Sequence, residues 1–204
     1  MVDNVWGAEK QDDKKTKASS NDEKTSVEVS GNHIYFYNGV DFETALNLNK
    51  SLQETAVKLL NHNNSWSLED KPVIHLHINS GGGYIDGGTA IMDTILRLKD
   101  KIDIYTYVEG RAASAATFIS CVGTKRFITP NSRMLIHQLS SGMWGTYGEF
   151  EDQKKNLDAL MEMIKNIYKK YTDVPAKDLD EILSHDLFWD SKKCLELGLV
   201  DEIR

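Results

Sequence analysis

The chain has 204 residues, 40% of them hydrophobic, with a formal net charge of -7 and a pI of about 5.4. That length and apolar content suit one domain with a sizeable core. The acidic balance argues against a nucleic-acid partner, which needs a basic surface to neutralise phosphate, and no apolar run reaches the length of a membrane span. Cys121 and Cys194 are the only cysteines and the N-terminus lacks the apolar stretch of a signal peptide, so a reducing, cytoplasmic setting is expected.

Residues 1–26 are almost wholly polar and charged. Such a segment cannot bury enough surface to offset its ordering entropy, so a mobile tail is expected there, with a catalytic-size domain over 27–204. "VEVSGNHIYFYNGV" alternates and reads as strand with a turn at Gly31–Asn32. "DFETALNLNKSLQETAVKLLNHNN" carries Leu46, Leu52, Ala56, Leu59 and Leu60 at helical spacing, and the run from Asn61 to Asn64 reads as its end. "SWSLEDK" is a loop and "PVIHLHINS" a strand. His75 and His77 alternate on one face of that strand, with no cysteine or carboxylate cluster to make a metal site of them.

"GGGYIDGG" breaks regular structure before a helix at "TAIMDTILRLKD". "KIDIYTYVEG" is a strand, "RAASAATFISCVG" a short helix, "TKRFITPNS" a turn, and "RMLIHQL" a strand that contains His137. "SSGMWGTYGEF" is glycine-spaced. A long amphipathic helix follows from about Glu149 to Tyr171, with Phe150, Leu157, Leu160, Met161, Ile164, Ile167, Tyr168 and Tyr171 at three-or-four spacing. "PAKDLDEILSH" is helical, and "SKKCLELGLVDEI" is a helix running into a last strand. Strands alternating with helices predict right-handed crossovers and a largely parallel sheet.

Three features carry chemistry. "INSGGG" leaves a strand for a helix, and its glycines free backbone N–H groups for an anion or oxyanion; the plain alternative is a tight turn. Ser114 follows a strand and opens a helix, where it is either an N-cap or a nucleophile beside the free N–H of Ala115. His137 in an apolar run is either a satisfied core residue or the base such a serine needs. A base also needs an orienting carboxylate, and Asp178, Asp180, Asp186 and Asp190 are all open to that role.

"INSGGGYIDGGTAIMDTI", "GRAASAA", "RFITPNSRMLIHQ" and "LFWDSKKCLELGLVDEI" occur in this order, and together they resemble the proteolytic subunit of the Clp protease family. The likeness is close over residues 73–204 and rests on element order over 27–72. It implies an α/β, crotonase-like (ClpP-type) fold of repeated ββα units with a protruding strand–long-helix handle. It implies a serine endopeptidase that hydrolyses unfolded polypeptides inside a ring-shaped chamber, the protomers forming a heptameric ring and two rings stacking into a tetradecamer. The implied nucleophile is Ser114, the base His137, the acid Asp186, and the oxyanion donors the N–H groups of Gly83 and Ala115. Substrate would run along Gly82, Tyr84, Gly142, Met143 and Trp144. No cofactor is expected on this chain; ATP would be used by a separate AAA+ unfoldase.

The sequence departs from the family pattern at several places. Gly81 stands where a proline is usual, which predicts a looser turn. Ser114-Ala115-Ala116 replaces Ser-Met-Gly, a change that leaves the backbone N–H intact. Ser184-His185 replaces an Asp-Arg pair that helps join rings, and the aromatic positions of the ATPase-docking pocket fall on His75, His77 and Arg97. These departures mark a divergent member, viral or accessory. Two other readings share the motifs: a crotonase-type acyl-CoA enzyme, and a catalytically silent subunit that scaffolds an active ring.

Overall fold

A computed structural model describes residues 27–66 and 69–204; the tail expected over 1–26 lies outside the described residues. In chain order the elements are β1 (Glu28–Ser30), β2 (His33–Phe36), α1 (Phe42–Trp66), β3 (Val73–Ser80), α2 (Ile85–Leu98), β4 (Asp103–Ala113), α3 (Ala115–Ser120), β5 (Lys125–Ile128), β6 (Arg133–Leu135), α4 (Tyr147–Tyr171), α5 (Leu179–Leu183), β7 (Trp189–Asp190), α6 (Ser191–Glu196) and β8 (Glu202–Ile203).

The sheet runs β1-β2-β3-β4-β5-β8. β1 and β2 form an antiparallel hairpin closed by Gly31 and Asn32, with Gly31 at φ 62°. A glycine first in a two-residue loop supplies the positive φ that matches strand twist. From β2 to β8 every neighbour on this path is parallel, as strand–helix alternation predicts. β6 adds parallel to the far end of β4 and pairs antiparallel with β7.

The core lies on one face of this sheet. In β3, Ile74, Leu76, Ile78 and Ser80 are buried while Val73, His75, His77 and Asn79 are half-buried. The buried set packs with Leu48 and Leu52 of α1, Ile91 and Ile95 of α2, and Phe118 and Ile119 of α3. The other face is a ladder of rings. Register aligns Tyr35, His77, Tyr107 and Phe127, and successive ring centroids stand 4.5, 4.9 and 4.8 Å apart.

Several boundaries differ from the sequence expectation. α1 continues through Asn61–Asn64 to Trp66, since asparagines on an exposed turn do not stop a helix. Its buried face is Ala45, Leu48, Leu52, Thr55 and Ala56; Leu46 is rotated away and 53% exposed. α2 begins at Ile85 and takes in Gly87 and Gly88. A methyl group on Gly88 would stand 2.9 Å from Ala115 Cβ, so this glycine serves close helix packing rather than a break. Arg111–Ala113 finish β4 instead of opening the helix. β5 lies where a turn was expected, and β6 stops two residues before His137. Residues 140–145 pair with no strand among the described residues, and α4 begins at Tyr147. Its buried residues, Ile164, Ile167 and Tyr168, fall in the second half. The first half, with Tyr147 78% exposed and Trp144 just before it 99% exposed, projects from the core as the handle reading requires.

Candidate active site

The site forms where β4 hands over to α3. Ser114 sits at the joint with φ 53° and ψ -129°, the one non-glycine positive φ among the described residues. An L-residue there costs about 1–3 kcal/mol and persists only where its surroundings over-determine it. The surroundings are visible. Ser114 N–H donates to Leu135 O at 2.9 Å, and Ser114 O accepts from Thr117 N–H at 2.9 Å and Thr117 Oγ1 at 2.6 Å. Thr117 Oγ1 also meets the Tyr168 hydroxyl at 2.7 Å, inside the core, where burial pushes that phenol's pKa up. The backbone of Ser114 is thus held by three hydrogen bonds, one at its N–H and two at its carbonyl. Its side chain makes no capping bond to α3, which removes the N-cap reading.

The same β4–β6 pairing that anchors Ser114 brings up the histidine. Ala113 pairs with Leu135, and His137 lies two residues farther on. Its Nδ1 is 2.8 Å from Asp186 Oδ1. An ionised carboxylate only accepts, so the imidazole donates through Nδ1–H and presents Nε2 as the basic nitrogen. Gln138 N–H donates to Leu183 O at 2.7 Å and ties the end of α5, just before Asp186, to the histidine segment. Two of the other aspartates are engaged elsewhere: Asp180 pairs with Lys165 Nζ at 2.6 Å and Asp190 caps α6 by accepting Lys193 N–H at 2.8 Å. Asp178 stands at the N-cap position of α5 without a side-chain bond to that helix. No hydrogen bond joins Ser114 Oγ to His137 among the described residues. Catalytic hydrogen bonds are often long without substrate and tighten in its presence.

The glycine turn closes the third side. Val40 N–H donates to Gly82 O at 2.9 Å and Tyr84 N–H to Val40 O at 2.7 Å, fixing the peptide planes around Gly83 at φ 152°. A Cβ on Gly83 would stand 2.0 Å from Val40 O, so only glycine fits. In the turn that Gly81 opens where a proline is usual, Ser80 Oγ accepts from Gly82 N–H at 3.2 Å. The N–H groups of Gly83 and Ala115 find no acceptor among the described residues. The turn and the helix start are in contact: a Cβ on Gly82 would lie 3.1 Å from Ala115 N. Free donors at a helix start and a neighbouring turn are the kind of groups that stabilise an oxyanion.

Beside Gly83 and Tyr84 opens a cleft of about 250 Å³. Tyr84 stands on its rim, stacked on Phe42 at 5.3 Å. Leu139, Ser140 and Ser141 also line the cleft; of the expected substrate residues Tyr84 lines it, whereas Gly82, Gly142, Met143 and Trp144 do not. Sequence reading missed Val40, Thr117 and Tyr168. Each acts through a long-range backbone or core bond that leaves no local pattern.

The family model for Clp protease matches residues 41–204. An ATP-dependent Clp protease proteolytic subunit 2 of Chlamydia muridarum is 37% identical over 132 residues, 64% of this chain and 64% of that protein. The chain thus matches just under two thirds of that relative's length. The subunit 2 of Chlamydia pneumoniae is 37% identical over 139 residues, 67% of this chain and 68% of that one. A solved ClpP1 mutant from Listeria monocytogenes superposes with a TM-score of 0.72 at 23% identity, over 85% of this chain and 91% of its own. The fold is therefore the ClpP-type α/β fold.

Proposed function

This chain belongs to the Clp protease family, and on that premise we propose that it is a serine endopeptidase acting on unfolded polypeptides. The observation that carries the reading is the strained Ser114 elbow, its hydroxyl free of any capping bond, on the β4–β6 pairing that leads to a histidine bonded to Asp186. His137 Nε2 takes the Ser114 proton as Oγ attacks the scissile carbonyl. Asp186 holds the imidazole in the tautomer that can do this and stabilises the imidazolium that results. The oxyanion settles on Gly83 and Ala115 N–H. The proton then passes to the leaving amine, and water, activated by the same histidine, hydrolyses the acyl-enzyme. The backbone of 140–145, unpaired among the described residues, supports an extended substrate held by main-chain hydrogen bonds, a mode largely indifferent to side chains.

A projecting handle with exposed Trp144, Tyr147 and Phe150 supports self-association into a heptameric ring, and stacking of rings into a tetradecamer. An AAA+ unfoldase would feed the chamber and use the ATP. The docking face departs from an apolar pocket, since His75 and His77 are tied to Tyr107 and Glu109 at 2.9 and 2.8 Å. No described helix is long and apolar enough to cross a membrane; the cytoplasm is the setting this reading needs. An acyl-CoA enzyme of the crotonase type would have no use for the His137–Asp186 bond, and neither would a silent scaffold.

Labelling with an alkyl fluorophosphonate tests the reading. The folded chain should take up one label, on Ser114, and lose that uptake in Ser114→Ala and His137→Ala. A folded wild-type chain that takes no label overturns it.

A further inference from the structure

The scissile carbonyl belongs to the residue before the cleaved bond, so once its oxygen sits on Gly83 N–H, that residue's side chain must leave within two bonds of the same point. A space open to it there is the cleft that Gly83 itself lines. Ile85, Leu139, Leu157 and Leu160 give it aliphatic walls, and Asp86 is its one charged lining residue. Asp86 is exposed, and among the described residues its carboxylate has no hydrogen-bond or ion-pair partner; only its backbone oxygen is used, by Thr89 Oγ1 at 3.2 Å. Asp158 and Asp180, which line a separate cleft, differ in this respect: Asp158 pairs with Lys154 at 2.6 Å and Asp180 with Lys165.

An aliphatic wall ending at an uncompensated carboxylate fits a side chain with a long apolar stem and a cationic head. Resting on the endopeptidase reading above, we propose that Asp86 makes this cleft a pocket for lysine or arginine, so that the enzyme favours cleavage after basic residues. The apolar walls alone would accept leucine or methionine about as well as an uncharged arginine isostere. What Asp86 adds is discrimination by charge, and discrimination is a difference between two substrates rather than an absolute rate.

The test uses paired fluorogenic peptides that differ only in carrying arginine or its neutral isostere citrulline before the bond, with a leucine peptide as a third. For the full-length assembled protein, kcat/KM for arginine should exceed that for citrulline by about tenfold, the size of one charge-assisted contact in a partly wet cleft. In Asp86→Asn the ratio should fall to near one. The ratio is taken within each enzyme, so a partly folded variant does not distort it. A wild-type ratio near one, an unchanged ratio in Asp86→Asn, or cleavage of the leucine peptide alone overturns the basic preference and leaves the endopeptidase reading standing. Cleavage of none of the three, together with no fluorophosphonate labelling, overturns both.

Discussion

Gly82 and Ser114 touch: a methyl group added to Gly82 would stand 2.7 Å from Ser114 Cβ and 2.4 Å from Ala113 O. Gly82 also has φ 83°, so a side chain is excluded there on two separate grounds. This contact couples the β3–α2 turn to the β4–α3 elbow, and so holds the Gly83 donor beside the nucleophile. Gly82→Ala should lower the unfolding free energy by about 2–4 kcal/mol, from the positive φ and the overpacking together. It should also abolish labelling of Ser114. Urea unfolding measures the first effect; stability within about 0.5 kcal/mol of wild type would mean the two loops can move apart and are not coupled as described.

Strain at Ser114 makes a second prediction. Ser114→Ala and Ser114→Gly both remove the nucleophile, and loss of a triad nucleophile costs on the order of a millionfold in rate. They should differ in stability. Alanine keeps the Cβ that makes φ 53° costly, while glycine adopts it freely and is opposed only by the greater entropy it gives the unfolded chain. The glycine variant should therefore be the more stable of the two by about 1 kcal/mol. Equal stability, or a more stable alanine variant, would show that the elbow relaxes once the hydroxyl is gone.

How much of this was legible in the chain depends on the length of each signal. β3, with eight residues alternating buried and half-buried, and the long helix α4 are strong periodic patterns and were placed to within a few residues. β5, at four residues, and β7, at two, are too short to show a period and were missed, whereas β8, also two residues, was expected as the last strand after the C-terminal helix. Gly87 and Gly88 read as a break because glycine in isolation disfavours helix; only the proximity of Val40 and Asp41 to the first, and of Ala115 and Phe118 to the second, explains them. His137 was singled out by its place in an apolar strand, and Asp186 only by the family resemblance, since the residues themselves left four aspartates open. The separation of 49 residues between His137 and Asp186 is bridged by the Gln138–Leu183 bond, which no local pattern announces.

The ring ladder on the open face predicts a pH dependence. His75 stacks on His33 at 4.5 Å and meets the Tyr107 hydroxyl at 2.9 Å. Burial first, then the like charges of His33 and His77, lower its pKa below the ordinary 6.5. The folded state thus resists a proton that the unfolded state accepts. Above about pH 6.5 both states hold His75 neutral and it costs nothing; as pH falls below that value the unfolded chain binds the extra proton and stability drops. Wild type should lose more unfolding free energy between pH 7.5 and pH 5 than His75→Gln does. Parallel curves for the two proteins would show that the histidine stack does not feel its own charge.

The last prediction separates two aspartates four residues apart. Asp186 was expected under apolar cover from Leu187, Phe188 and Trp189. In the folded protomer its side chain is 77% exposed, Leu187 is 65% exposed, and Phe188 turns to Arg133, whose guanidinium lies 4.7 Å from the ring. Water screens a charge so placed, so its service to His137 is chiefly orientation: it fixes Nδ1–H and leaves Nε2 basic. Asp186→Asn can offer its own N–H to Nδ1 and favour the wrong tautomer. That exchange costs about 10⁴ in turnover in the worked triad case, whose aspartate is buried. Here a loss of roughly 10²–10⁴ is expected, with little change in stability. Asp190 caps α6 through Lys193 N–H, so Asp190→Ala should cost about 1 kcal/mol of stability with turnover nearly unchanged. Measured on one peptide and by one unfolding assay, the two variants should show opposite profiles. A kinetic defect in Asp190→Ala and none in Asp186→Asn would place the carboxylate partner of His137 elsewhere, and the 2.8 Å contact would then be incidental.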